Sequence, residues 1–147
     1  MAVLTDLGLA ILHHVVVFSI FAVYAVRVAF VRPGLDGEGT ARLAKFDAAY
    51  GGLAMLALVV GFARVFLGLK GWDYYGGYWV FWAKVASFVL VGLFSIKPTL
   101  RFQKWRKANQ PVSSSQIALV RPWLRAEGAA LLAILVFAAM MARGVGY

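Results

Sequence analysis

Four long apolar runs, separated by short polar segments, make up the chain: residues 4–30, 46–69, 78–97 and 122–142. A run of about twenty apolar residues is what a helix needs to cross a ~30 Å hydrocarbon core. The runs lack the apolar/polar alternation of a membrane barrel. The expected fold is therefore all-α, a four-helix antiparallel transmembrane bundle forming one domain over residues 1–147. The punctuation between runs agrees with this. Arg32, Pro33 and Gly34 stop the first span, since a helix does not continue through such a cluster. A polar loop with Asp36, Glu38, Arg42 and Lys45 precedes the second. The stretch KGWDYYGG suits an interfacial turn, and Lys97 and Pro98 close the third span. The polar stretch RFQKWRKANQPVSSS then extends that helix into water before a flexible connection, and Pro122 suits the first turn of the fourth span.

Composition narrows the class. With 63% hydrophobic and 14% charged residues and a mean hydropathy of +0.80, the chain has too few charges to cover a soluble domain, so it reads as an integral membrane protein in contact with the lipid bilayer. Cysteine is absent, which excludes disulfides, thiolate metal sites and iron–sulfur clusters. Only Met1 to Asp6 precede the first run, without a basic segment, so the first span is expected to stay in the mature protein. The net charge of +9 does not point to nucleic acid, because the cations cluster beside the spans. Arg27, Arg32, Arg42 and Lys45 flank the first loop. Lys97, Arg101, Lys104, Arg106, Lys107, Arg121 and Arg125 flank the third. Positive-inside counting makes both loops cytoplasmic and both termini external. Trp72, Tyr74, Tyr75, Tyr78, Trp79 and Trp82 form an aromatic belt at the opposite interface.

The informative residues are polar ones inside the spans. His13 and His14, the only histidines, sit within an apolar run, where an ionisable group is costly and marks a functional site by default. At 1.5 Å per helical residue, His13 lies roughly 13 Å below the outer start of span one, and Arg64 and Lys84 lie roughly 8 to 9 Å below the same surface in spans two and three. Helical phase places Asp6, His13, Ile20, Tyr24 and Arg27 on one stripe, with His14 about 100° away beside Leu7, Phe18 and Phe21. Tyr50, Ala57, Gly61, Arg64 and Gly68 share a face of span two; Gly77, Lys84, Ser87 and Ser95 share one of span three. No acid matches the outer cations, since Asp6 is near the surface and Glu127 is expected to open span four on the cytoplasmic side. A bound anion would balance the layer. Haem b does so with His13 as axial ligand and Arg64 and Lys84 neutralising its propionates, His14 being the neighbouring candidate. Copper would accept histidine as well, but Met55, Met140 and Met141 form no thioether cluster beside it. A quinone pocket is a further alternative. A retinal-type Schiff base on Lys84 lacks a carboxylate counter-ion. The bland reading is that Arg64 and Lys84 snorkel to the surface while His13 bonds a neighbouring helix.

The string ILHHVVVFSIFAVY, followed by YWVFWAKVASFVLVGL, resembles an uncharacterised family of small four-span bacterial membrane proteins over nearly the whole chain. More distantly it resembles HemJ-type protoporphyrinogen oxidases and CopD-type copper-resistance membrane domains. In the HemJ-type family a Leu/Phe-His pair supplies a haem ligand, which maps onto Leu12-His13, and an aromatic-x-x-Lys motif maps onto Trp82-Ala83-Lys84. The chain departs from that family in length and in having no further histidine. The resemblance implies the bacterial inner membrane with periplasmic termini and, if the chain is an enzyme, an oxidoreductase acting on a porphyrin or quinone. The non-enzymatic alternative is a copper-transport-like permease or a packing subunit of a larger complex. Gly128, Ala129, Ala130, Ala133 and Ala138 on span four would serve close packing in the bundle, a homodimer or such a complex.

Overall fold

The computed structural model describes residues 1–147, the side chain of Ala2 apart. Its helices are α1 (Ala2–Phe30), α2 (Gly37–Leu67), α3 (Gly71–Gly76), α4 (Trp79–Ala108) and α5 (Ser114–Ala142). The fold is all-α, and the four long helices are each long and apolar enough to cross a membrane. Large apolar side chains lie exposed on the outside, among them Phe18 at 67%, Val59 at 64% and Leu132 at 60%. In water such a surface would aggregate; against lipid it is the solvated one.

The helices pair as two antiparallel hairpins, α1 with α2 and α4 with α5. Contact between α2 and α4 joins them, and α1 touches α5 least. The register of the first hairpin can be read from four facing pairs. Asp6 lies against Gly68, His13 against Gly61, Tyr24 against Tyr50 and Arg27 against Asp47. Each step along α1 is matched by an equal step backwards along α2, so two stripes spaced by whole turns meet along the full hairpin. Glycine at 61 and 68 lets the helices close, since an added Cβ would stand 3.3 Å from His13 Cε1 and 2.7 Å from Asp6 Oδ1.

Every long helix exceeds or shifts its predicted span, for identifiable local reasons. The second was expected from residue 46, yet α2 starts at Gly37. Asp36 caps it by accepting a hydrogen bond from the Gly39 amide at 2.7 Å, and Thr40 and Leu43 are buried. The expected loop residues Glu38, Arg42 and Lys45 are helical, and Glu38 pairs with Arg42 one turn on. The fourth was expected from 122, yet α5 starts at Ser114. Ser113 and Gln116 form a capping box, with the Gln116 amide donating to Ser113 Oγ at 3.3 Å and the Ser113 amide to Gln116 Oε1 at 2.9 Å. Pro122 thus lies within the helix instead of opening it. Pro98, expected to end the third span, lies fully buried inside α4, which runs ten residues beyond it as the expected helical extension of that span. Hydropathy reads apolar runs, and the added helical turns are too polar to register in it.

The overhangs build a second structure at the basic end. Gly34, in the left-handed region at φ 75°, donates its amide to Val112 O at 2.9 Å, and the Val112 amide donates to Leu35 O at 3.0 Å. The two loops are therefore stitched by backbone hydrogen bonds. Asn109, the left-handed C-cap of α4 at φ 49°, lays its side-chain amide where a Cβ of Gly37 would be. Leu35, Leu43, Phe102, Trp105, Val112 and Ile117 close a core cluster beneath these loops. A second cluster around Val16, Ile20, Tyr50, Val91 and Leu131 fills the middle. A third, with Val65, Tyr78, Phe81 and Met141, lies at the aromatic end.

Candidate functional site

Two polar layers occupy the bundle, one toward each end. The first is the layer expected from sequence. His13 is half-buried on the inward stripe of α1, its Cε1 and Nδ1 edge turned to Gly61, and Nδ1 is buried without a hydrogen-bond partner. His14 is exposed, and its Nδ1 lies 2.7 Å from its own helix's Ala10 carbonyl. One turn past Gly61, Arg64 is half-buried with Nε unpartnered. Lys84, half-buried on α4, and Arg64 both stand near enough to His13 for their charges to be felt at its ring, and Arg64 stands equally within reach of Lys84. Three helices thus bring His13, Arg64 and Lys84 together, while His14 faces outward. Neither Arg64 nor Lys84 has an ion-pair partner among the described residues.

The second layer is absent from the sequence-based expectation. Arg27, counted above as a topological cation, is fully buried. Its Nη1 donates to Glu127 Oε1 at 2.9 Å, its Nη2 lies 2.7 Å from Asp47 Oδ1, and its guanidinium stacks over the Tyr50 ring with Cζ 4.1 Å from the centroid. The Phe102 ring centroid stands 5.8 Å from the same Cζ. All four long helices therefore meet at one guanidinium. Glu127, expected at the membrane edge, leaves the outer cations unmatched and is fully buried in the bundle as an ion-pair partner of Arg27. The reason is the eight-residue extension of α5, which moves Glu127 from a helix start to the middle of a helix. The Tyr50 hydroxyl lies beside Glu127, and both it and Glu127 Oε2 are buried without a hydrogen bond of good geometry. Beside this cluster the Tyr24 hydroxyl donates to Leu124 O at 2.7 Å, directly over Gly128, where any Cβ would collide with it.

Sequence carried a signal for this second layer. Arg27 shares the inward stripe with His13, and Asp47 stands three residues before Tyr50, one turn away on the same face. A buried ion pair is costly to desolvate and is tolerated when its geometry is good and its remaining donors are satisfied. Here one guanidinium serves two carboxylates and an aromatic face, which holds helices together, while its Nε and Nη2 and Asp47 Oδ1 make no hydrogen bond of good geometry.

Among the described residues no group of three or more histidine, aspartate or glutamate side chains gathers as a metal site. Any metal at His13 must therefore bring most of its own ligands.

Residues 5–146 match the sequence family described as predicted membrane protein DUF2214. The chain belongs to that family. No curated protein and no solved structure matches it. The match agrees with the resemblance to an uncharacterised membrane family and does not extend to the HemJ-type or CopD-type proteins, so no activity transfers from either.

Proposed function

We propose that this DUF2214 protein binds haem b in the bacterial inner membrane, with His13 as axial ligand and Arg64 and Lys84 as partners of the propionates. The observation that carries the reading is the layer itself: an imidazole and two cations from three helices, none with an acidic partner. A dianionic amphiphile with a metal centre meets all three groups at once. The donor set favours haem over bare copper, because a macrocycle supplies four ligands and asks the protein for one or two, whereas copper takes its ligands from side chains. The ring atoms nearest Gly61 are Cε1 and Nδ1, which leaves Nε2 as the nitrogen for the iron. Arg64 Nε and His13 Nδ1, buried and unpartnered, are the kind of atoms a ligand or its bound water would satisfy. When bound, the iron would supply one-electron exchange. On this reading the basic loops face the cytoplasm, the termini face the periplasm, and any enzymatic activity is that of an oxidoreductase toward a porphyrin or quinone.

The test is an optical spectrum of detergent-purified protein before and after hemin addition. A Soret band that disappears in His13→Ala and persists in His14→Ala is expected. No band after hemin addition, or one indifferent to His13→Ala, overturns the proposal.

A further inference from the structure

At the basic end, on the outside of the bundle, α5 leaves an open groove against α1, which it touches little, and against the loop that follows α1. Two adjoining hollows of about 420 and 270 Å³ form it, and both are lined by Arg121 and Arg125. These arginines are one turn apart on α5, so their side chains lie on one face. Both are exposed, and neither has an ion-pair partner among the described residues. No acid lines either hollow; the remaining lining is mainly apolar, with Val28 and Leu124 on the deeper side and Pro33 and Ile117 on the shallower. The groove is therefore cationic along one wall and greasy along its floor.

Its depth is set by helix length. The 29 residues of α5 are about 43 Å long, against a hydrocarbon core of ~30 Å, so roughly three turns stand outside it. Beyond Arg125 only Glu127, held in the core by Arg27, interrupts the apolar run to Ala142. Arg121 and Arg125 thus sit at the boundary between hydrocarbon and headgroups. An inorganic anion would use only the cationic wall. A molecule with a phosphate at the headgroup level and acyl chains below it uses both wall and floor.

We infer that the α1/α5 groove is a binding site for one anionic phospholipid, its phosphate held by Arg121 and Arg125 and an acyl chain lying along Val28 and Leu124. Basic pockets between membrane helices recognise anionic headgroups in this way. The groove lies at the opposite end of the bundle from His13 and stands independently of the haem proposal.

Native mass spectrometry of the full chain in detergent, with phosphatidylglycerol or phosphatidylcholine added, tests it. Wild type should retain one phosphatidylglycerol in preference to phosphatidylcholine, and Arg121→Gln/Arg125→Gln should lose that preference, with affinity falling roughly tenfold or more. Arg101→Gln/Lys104→Gln, which removes two exposed cations of the same end from α4, should retain it. Inorganic phosphate in excess should not displace the lipid. Equal retention of both lipids by wild type, retention unchanged in the Arg121/Arg125 variant, or displacement by phosphate would each overturn the proposal.

Discussion

The two polar layers of the bundle solve opposite problems with similar side chains. Around Arg27, one cation meets two carboxylates and an aromatic face, all supplied by the protein. Around His13, two cations and an imidazole meet no acid. The first layer pairs opposite charges and has the character of a tie between helices, although Arg27 Nε and Nη2, Asp47 Oδ1, the Tyr50 hydroxyl and Glu127 Oε2 make no hydrogen bond of good geometry. The second is open: among the described residues neither Arg64 nor Lys84 has an ion-pair partner. Burial of polar groups alone is therefore a poor guide to function in this molecule; the presence or absence of an opposite charge separates the structural layer from the candidate site.

The largest expected break is at the paired layer. Arg27→Met leaves Asp47 and Glu127 buried without their cation, which should cost about 3–5 kcal/mol, read by detergent-induced unfolding. Arg64→Met at the open layer should cost far less, because it removes a charge that has no partner. If both cost the same, the distinction between the layers fails. Gly128→Ala should cost about 1–3 kcal/mol by driving a methyl into the Tyr24 hydroxyl. Tyr24→Phe in the same chain should recover much of that loss, since the colliding atom is gone. Gly61→Ala, whose Cβ would meet His13 Cε1 at 3.3 Å, should be milder in stability and should instead shift the Soret band of a hemin-loaded sample. Lys84→Gln should weaken hemin binding about tenfold, the loss of one charge-assisted contact, with no loss of stability. Smallest of all, Tyr50→Phe removes a buried, unpartnered hydroxyl and keeps the ring under Arg27, so unfolding should change by less than about 1 kcal/mol.

Much of the fold was legible because lipid imposes simple demands. Apolar runs marked the four spans, and whole-turn spacing identified the two stripes, Asp6 to Arg27 and Tyr50 to Gly68, that face one another in the first hairpin. The inward side of His13 and the outward side of His14 follow from the same 100° step. The Arg27 cluster was not legible in the same way. Pairing Arg27 with Glu127 requires knowing where α5 begins, and that depends on a capping box in a polar stretch that hydropathy treats as loop. It also requires the relative register of the two hairpins, which no single helix encodes. The stitched loops escaped for a related reason: Val112 bonds Gly34 and Leu35 across a long sequence separation, and nothing local to either loop announces the other.

That stitching has a mechanical consequence. The hairpins are clasped at the basic end by backbone hydrogen bonds and, a few turns in, by the Arg27 cluster. At the aromatic end the α2–α3–α4 connection and the cluster of Val65, Phe81 and Met141 clasp them again. The His13 layer is thus framed from both ends, and the spacing of its three helices is set before any ligand arrives.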